Sequence, residues 1–124
     1  MPRFSDRELD VMHVLWRRGP ATVADVRRHL SDDLAYTTVL TVLRILEEKG
    51  RVGHREAGKA HRYFAKVAER TARETALARL LDQVFEGSAE LLVTQLVADR
   101  DFSAEEVERL RAVVDGHAKG SRKP

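Results

Sequence analysis

Drawn as a helix, residues 37–49 place Thr37, Thr41 and Arg44 in one stripe, with Glu48 extending it, while Val39, Val42, Leu43 and Leu46 gather on the opposite side. Threonine brings a hydroxyl and a methyl, and arginine a planar fork of donors. These groups suit the major groove of B-DNA, where threonine can meet a base edge or a thymine methyl and arginine can bind guanine bidentately. Tyr36 and Thr38 stand at the helix start, beside backbone N–H groups that no preceding turn satisfies, a setting suited to phosphate. An ordinary surface face is the bland alternative. It does not explain the threonines, which are costly at exposed helical positions, and local costs of that kind tend to sit where function demands them.

The charge pattern points the same way. Net charge is only +2, but residues 1–66 carry 13 Lys/Arg against 9 Asp/Glu, and residues 67–124 carry 9 against 11. Residues 44–66 concentrate seven basic side chains against three acidic ones, a density suited to phosphate contacts. Arg55, Lys59 and Arg62 belong to this run and are expected on a hairpin, binding the flanking DNA backbone. Such contacts are sequence-independent and weaken strongly with salt.

These side chains need a scaffold, and the signals for one run along the chain. Ser5-Asp6-Arg7-Glu8 has the spacing of a capping box. The helix it starts carries Leu9, Met12 and Trp16, widened by Val11 and Leu15, and stops at Gly19-Pro20; Trp16 reads as core. Thr22 with Asp25 caps a short second helix, whose expected inner side is Ala24, Val26 and Leu30. The segment from Tyr36 to Val42 is aromatic and β-branched, so local propensity favours a strand. A helix is expected nonetheless, because Lys49 and Gly50 make a well-formed helical end. Arg51–Glu56 and Ala60–Ala65 read as strands around Ala57-Gly58-Lys59, with Val52 and Tyr63 turned inward. Three helices followed by a basic hairpin make a winged helix-turn-helix.

From Val67 the pattern is helical. Leu77, Leu80, Leu81 and Val84 form one stripe. Ser88 caps a helix bearing Leu91, Leu92, Leu96 and Val97, and Ser103 to Glu106 forms a capping box before Val107, Leu110, Val113 and Val114. These apolar faces require a cover, and a second copy is the expected one. A segment of about 60 residues buries only about 60% of its surface, so each half gains from a partner. The expected architecture is therefore mainly α with a small β-hairpin wing: a winged helix-turn-helix domain over residues 1–66, a C-terminal helical dimerisation arm over 67–118, and a disordered tail over 119–124.

Several function classes drop out. No cysteine is present, which removes disulfides, thiolate metal sites and cysteine nucleophiles. His13, His29, His54, His61 and His117 show no ligand or catalytic spacing, so no metal, no cofactor and no enzymatic activity are expected. His54 and His61 are placed to meet across the hairpin, which leaves room for a pH effect. The N-terminus has no hydrophobic signal core and no run approaches the roughly 20 apolar residues of a membrane span. A cytoplasmic protein with no membrane partner is expected. Two other readings stay open, a winged-helix module that binds protein, and a regulator that senses a ligand.

The chain resembles the penicillinase-repressor family, BlaI/MecI/CopY, over nearly its whole length. The resemblance rests on Leu9-Asp10-Val11-Met12-His13-Val14-Leu15-Trp16, on Ala35-Tyr36-Thr37-Thr38-Val39-Leu40-Thr41-Val42-Leu43 leading to Glu47-Glu48-Lys49-Gly50, and on Ala60-His61-Arg62-Tyr63. It implies a homodimeric repressor on a pseudo-palindromic operator, two half-sites about 10 bp or a multiple apart. It also implies an antibiotic response, with a regulatory protease or sensor as a further partner. β-Lactam-responsive members are released by cleavage at an Asn-Phe bond; the candidate cleavage position here is Gln95-Leu96, a departure from that pattern. Copper-sensing members use C-terminal cysteines, which this chain lacks.

Overall fold

The structure, a computed structural model, describes residues 3–121. Along them run α1 (Asp6–Arg18), α2 (Val23–His29), α3 (Tyr36–Glu48), β1 (Val52–Ala57), β2 (Ala60–Ala65), α4 (Glu69–Val84), α5 (Ala89–Asp99) and α6 (Ala104–Ser121). Side-chain caps start four of these helices where the sequence places them. Ser5 and Glu8 make both bonds of a capping box at α1, and Thr22 and Asp25 do so at α2. The Ser88 hydroxyl accepts from the Leu91 amide at α5, and Ser103 and Glu106 exchange both bonds at α6. The tail expected from residue 119 onward lies outside the described residues from 122, and α6 runs on to Ser121.

The core is built from one face of each of the first three helices: Val11, Met12 and Leu15 of α1, Val26 of α2, and Val39, Leu43 and Leu46 of α3, joined by Val52 and Tyr63 of the hairpin. This resolves the conflict between pattern and propensity in α3. Burying a side chain such as valine or leucine stabilises by about 1.5–3 kcal/mol, and α3 buries three completely. The whole β-propensity scale spans only about 1 kcal/mol, so packing decides. In α2 the inner side differs from the expected one: Val23, with Val26, is buried and Ala24 is exposed. Val23, Val26 and the half-buried Leu30 keep the i, i+3, i+7 spacing of a single face, and Ala24 stands about 100° away from Val23.

One polar contact spans this core. Glu8, only 5% exposed, accepts from the Ser5 amide through Oε1 at 2.8 Å, and its Oε2 pairs with Lys49 Nζ at 2.9 Å. The start of α1 is thereby tied to the end of α3. Burial pushes the Glu8 carboxyl up, but the Lys49 ammonium and the Ser5 amide and hydroxyl outweigh it and hold the group below the usual carboxylate range.

The sheet is an antiparallel hairpin in which His54 faces Tyr63, Arg55 faces Arg62 and Glu56 faces His61. A third strand segment is supplied by a single residue: Ala21, in the loop between α1 and α2, bridges Tyr63 antiparallel on the free edge of β2. The chain divides into two compact units, Met1–Arg79 and Leu80–Pro124, with the break inside α4. The Trp16 indole N–H donates to the Val67 carbonyl at 2.8 Å, and Ala72 and Thr75 of α4 are buried. Beyond Thr75 no described residue is buried.

Glu8→Gln removes the ion pair and keeps the shape of the cap. It is expected to lower stability by about 1 kcal/mol at neutral pH, with a fall in Tm of about 4–8 °C for a domain of this size. Because the folded carboxyl titrates below its unfolded value, its contribution is present above the unfolded range and vanishes as pH falls through the folded one. The wild-type advantage in thermal unfolding should therefore hold at neutral pH and shrink progressively once pH falls below the ordinary carboxylate range of about 4; a difference that persists unchanged to lower pH would refute the ion pair as its source.

Candidate nucleic-acid interface

On α3 the buried face fixes the exposed one. With Val39, Leu43 and Leu46 in the core, Thr37, Thr41, Arg44 and Glu48 all face outward, as does Thr38. The Thr41 hydroxyl donates to the Thr37 carbonyl at 2.9 Å, which uses its donor and leaves the oxygen able to accept. At the N-terminus Ala35 occupies the cap position and makes no side-chain cap bond. α3 therefore opens on amides free to meet an anion, beside the half-exposed ring of Tyr36.

The hairpin presents two different faces, because side chains alternate along a strand. Val52, His54 and Glu56 share one face with Ala65, Tyr63 and His61, and this face looks toward α3: Val52 and Tyr63 are buried, and His54 Nδ1 lies 2.6 Å from Glu47 Oε2. Burial and the nearby Glu47 carboxylate push the Tyr63 phenol up, with Arg44 opposing them. Between α3, the start of α2 and the wing lies an open cleft of about 310 Å³. Tyr36, Arg44, Lys59 and His61 line it. Of the residues singled out in the sequence, the structure thus gathers Tyr36, Arg44 and Lys59 around one space.

Arg55 and Arg62 stand on the other face of the hairpin, directly opposite each other. Like charges in that relation destabilise a sheet. Arg55 is held 5.0 Å above the Phe64 ring, and Pro20, Arg55, Arg62 and Phe64 enclose a smaller cleft of about 200 Å³. Gly53 is what lets Phe64 lie there, since a Cβ on residue 53 would come within 2.7 Å of the ring. Arg7, Arg28 and Lys49 in the same unit each have a carboxylate partner. Arg44, Arg55, Lys59 and Arg62 have none among the described residues. Arg17 and Arg18 lack one as well, so it is position around α3 and the wing, together with missing partners, that marks the four.

His61 was not among the residues the sequence assigned to DNA. The antiparallel register was the signal that could have found it, since it sets His61 on the same face as Tyr63. No group of three His, Asp or Glu placed to hold a metal occurs among the described residues, and none of their helices is long and apolar enough to cross a membrane.

A family profile described as penicillinase repressor matches residues 4–116. The chain belongs to that family. The penicillinase repressor of Bacillus licheniformis is 26% identical over 119 residues, covering 94% of this chain and 93% of the relative. The transcriptional regulator BlaI of Mycobacterium tuberculosis is 47% identical over 66 residues, 51% of this chain and 48% of the relative. Among solved structures, the monomeric form of Bacillus licheniformis BlaI in complex with the blaP half-operator is 29% identical and superposes with a TM-score of 0.50, covering 56% of this chain and 88% of that one. The fold is a winged helix with helical additions.

Because Tyr63 joins the wing to the helices through both its backbone and its buried ring, Tyr63→Ala should cost about 3 kcal/mol in denaturant unfolding. The amide of Ala21, which donates to the Tyr63 carbonyl at 2.9 Å, should lose hydrogen-exchange protection in the same variant. An Ala21 amide as protected as in the wild type would show that the wing is anchored elsewhere.

Proposed function

We propose that this chain is a homodimeric transcriptional repressor that binds a pseudo-palindromic operator through α3 and the wing. What carries the reading is the outward stripe of Thr37, Thr41 and Arg44 on a helix that buries Val39, Leu43 and Leu46 completely on its other side, in a chain of the penicillinase-repressor family. Thr37, Thr41 and Arg44 read base edges. Tyr36, Thr38 and the open amides of α3 hold phosphates, and Arg55, Lys59 and Arg62 bind the flanking backbone on both faces of the hairpin. The winged helix does the DNA work, and the helical arm that follows it joins two copies in the cytoplasm.

The arm supports the dimer. Leu77, Leu80, Val84, Leu91, Leu96, Val107, Leu110 and Val114 are between 39% and 65% exposed in the single chain, with Leu81 and Leu92 half-exposed beside them. Val93, absent from the sequence-based set, is 54% exposed. So many large apolar side chains in one segment exceed the scattered few a monomer ordinarily shows.

The relative named for penicillinase favours antibiotic response as the setting, and a regulatory protease or sensor would end repression. Gln95-Leu96 is a poor cleavage site in this structure. It lies inside α5, where the Gln95 side-chain Nε2 donates to the Asp99 carboxylate at 3.0 Å, and a protease would have to unwind that turn first.

Selection of duplexes from a random-sequence library with the full chain should yield a two-fold consensus, its half-sites about 10 bp or a multiple apart. On that consensus Arg44→Ala should lose about 1–3 kcal/mol and relax one position of each half-site, whereas Lys59→Ala should weaken all duplexes alike and lower the salt slope by about one. If no consensus emerges, or both variants bind equally and without salt dependence, the DNA reading fails in favour of a protein-binding module.

Leu110→Asp, at an exposed apolar position, should leave thermal unfolding of the first unit unchanged and weaken dimerisation by about a hundredfold, read by sedimentation equilibrium. A wild-type monomer, or a variant dimer of equal strength, would move the interface off this arm.

A further inference from the structure

His61 is exposed in the wall of the cleft that also holds Tyr36, Arg44 and Lys59. Its ring lies nearly parallel to that of His54, with centroids 4.3 Å apart and planes 14° from one another. His54 is itself held from two sides. Its Nδ1 meets Glu47 of α3 at 2.6 Å, and the Tyr63 ring flanks it at 5.5 Å. A series of contacts therefore runs from the last turn of α3, through β1, to a ring on β2 that faces the same cleft as the arginine of the recognition stripe. Nothing in the packing of the core requires this, since all three side chains lie at the surface or half-exposed.

A phosphate in the cleft would meet Arg44, Lys59 and His61 together. An anion beside an imidazole favours its charged form, and a stacked ring loses less freedom on binding than a free one. We propose that His61 is a backbone-phosphate contact of the wing, positioned by its stack on His54 and through it by Glu47, and that it takes up a proton as DNA binds. The proposal rests on the DNA-binding reading above. It accounts for a histidine in a wall whose charged members are otherwise fixed cations, and it links the angle of the wing to the helix that reads bases.

The groups around His61 are Tyr36, Arg44 and Glu47 from α3, His54 and Glu56 from β1, the latter directly across the hairpin from His61, and Lys59 and Tyr63 from the turn and β2. Carboxylates, phenols, ammonium and guanidinium groups ordinarily change charge outside the window of about pH 5 to 8, and histidine within it. Glu47 and Glu56 offer counter-charge to two neighbouring imidazolium rings. Binding that takes up a proton strengthens as pH falls through this window and weakens as it rises.

The test uses fluorescence anisotropy of the full chain on a mixed-sequence duplex of about two to three helical turns, at fixed ionic strength, near pH 6 and near pH 8. The wild type should bind about three- to tenfold more tightly at the lower pH. His61→Gln should lose most of that gain, with a salt slope smaller by about one near pH 6. His61→Lys, which carries a fixed charge, should bind tightly at both. His54→Ala should shrink the gain by removing the platform while leaving His61 in place. If His61→Gln keeps the wild-type pH dependence, the contact is refuted; if His54→Ala leaves the gain unchanged, the positioning role is. Failure of the underlying reading looks different, with no salt-dependent duplex binding by the wild type at either pH.

Discussion

Two backbone hydrogen bonds, each between Ala21 and Tyr63, hold the wing to the helices. A lone two-stranded hairpin is marginal in water. Here the pairing of one loop residue with β2 gives the hairpin a second edge, and the Tyr63 ring between them fills the core. Both features of the site follow. The hairpin acquires an inner face that looks toward α3 and an outer face that looks away, and Lys59 and His61 come to border the same cleft as Tyr36 and Arg44.

The same constraint explains why cations can accumulate in this region. Arg55 and Arg62 stand directly across from one another, an arrangement that costs stability; the hairpin tolerates it because Tyr63, Val52 and the Ala21 bridge stabilise the other side. The second unit shows the complementary situation. Its helices have their caps, yet no described residue from Leu80 onward is buried. Capping satisfies backbone groups and leaves apolar area in water, and only tertiary or quaternary packing removes it.

Most of the scaffold was legible in the sequence because its signals are local. Ser5/Glu8, Thr22/Asp25, Ser88 and Ser103/Glu106 act within a single turn, so spacing alone reveals where helices begin. Val52 and Tyr63 as inward anchors, and the outward stripe of α3, follow from periodicity. The inner side of α2 was misread at Ala24 because a seven-residue helix has too few apolar positions to define its phase. The attachment of α4 to the first unit was not legible, because the indole of Trp16 binds the carbonyl of Val67, a contact 51 residues apart in sequence that no local pattern records.

The sequence by itself determined the order of elements, the polar stripe of Thr37, Thr41 and Arg44, and the concentration of positive charge after it, since each depends on residues within a few turns of one another. Tertiary structure decided what these residues can do together. It overrode the strand propensity of Tyr36 to Val42 by burying Val39, Leu43 and Leu46, placed Arg55 and Arg62 apart from Arg44 and Lys59 through the alternation of the hairpin, and set His61 on His54 and His54 on Glu47. Those relations depend on register and on the docking of the wing, and both are fixed by contacts between segments distant in the chain.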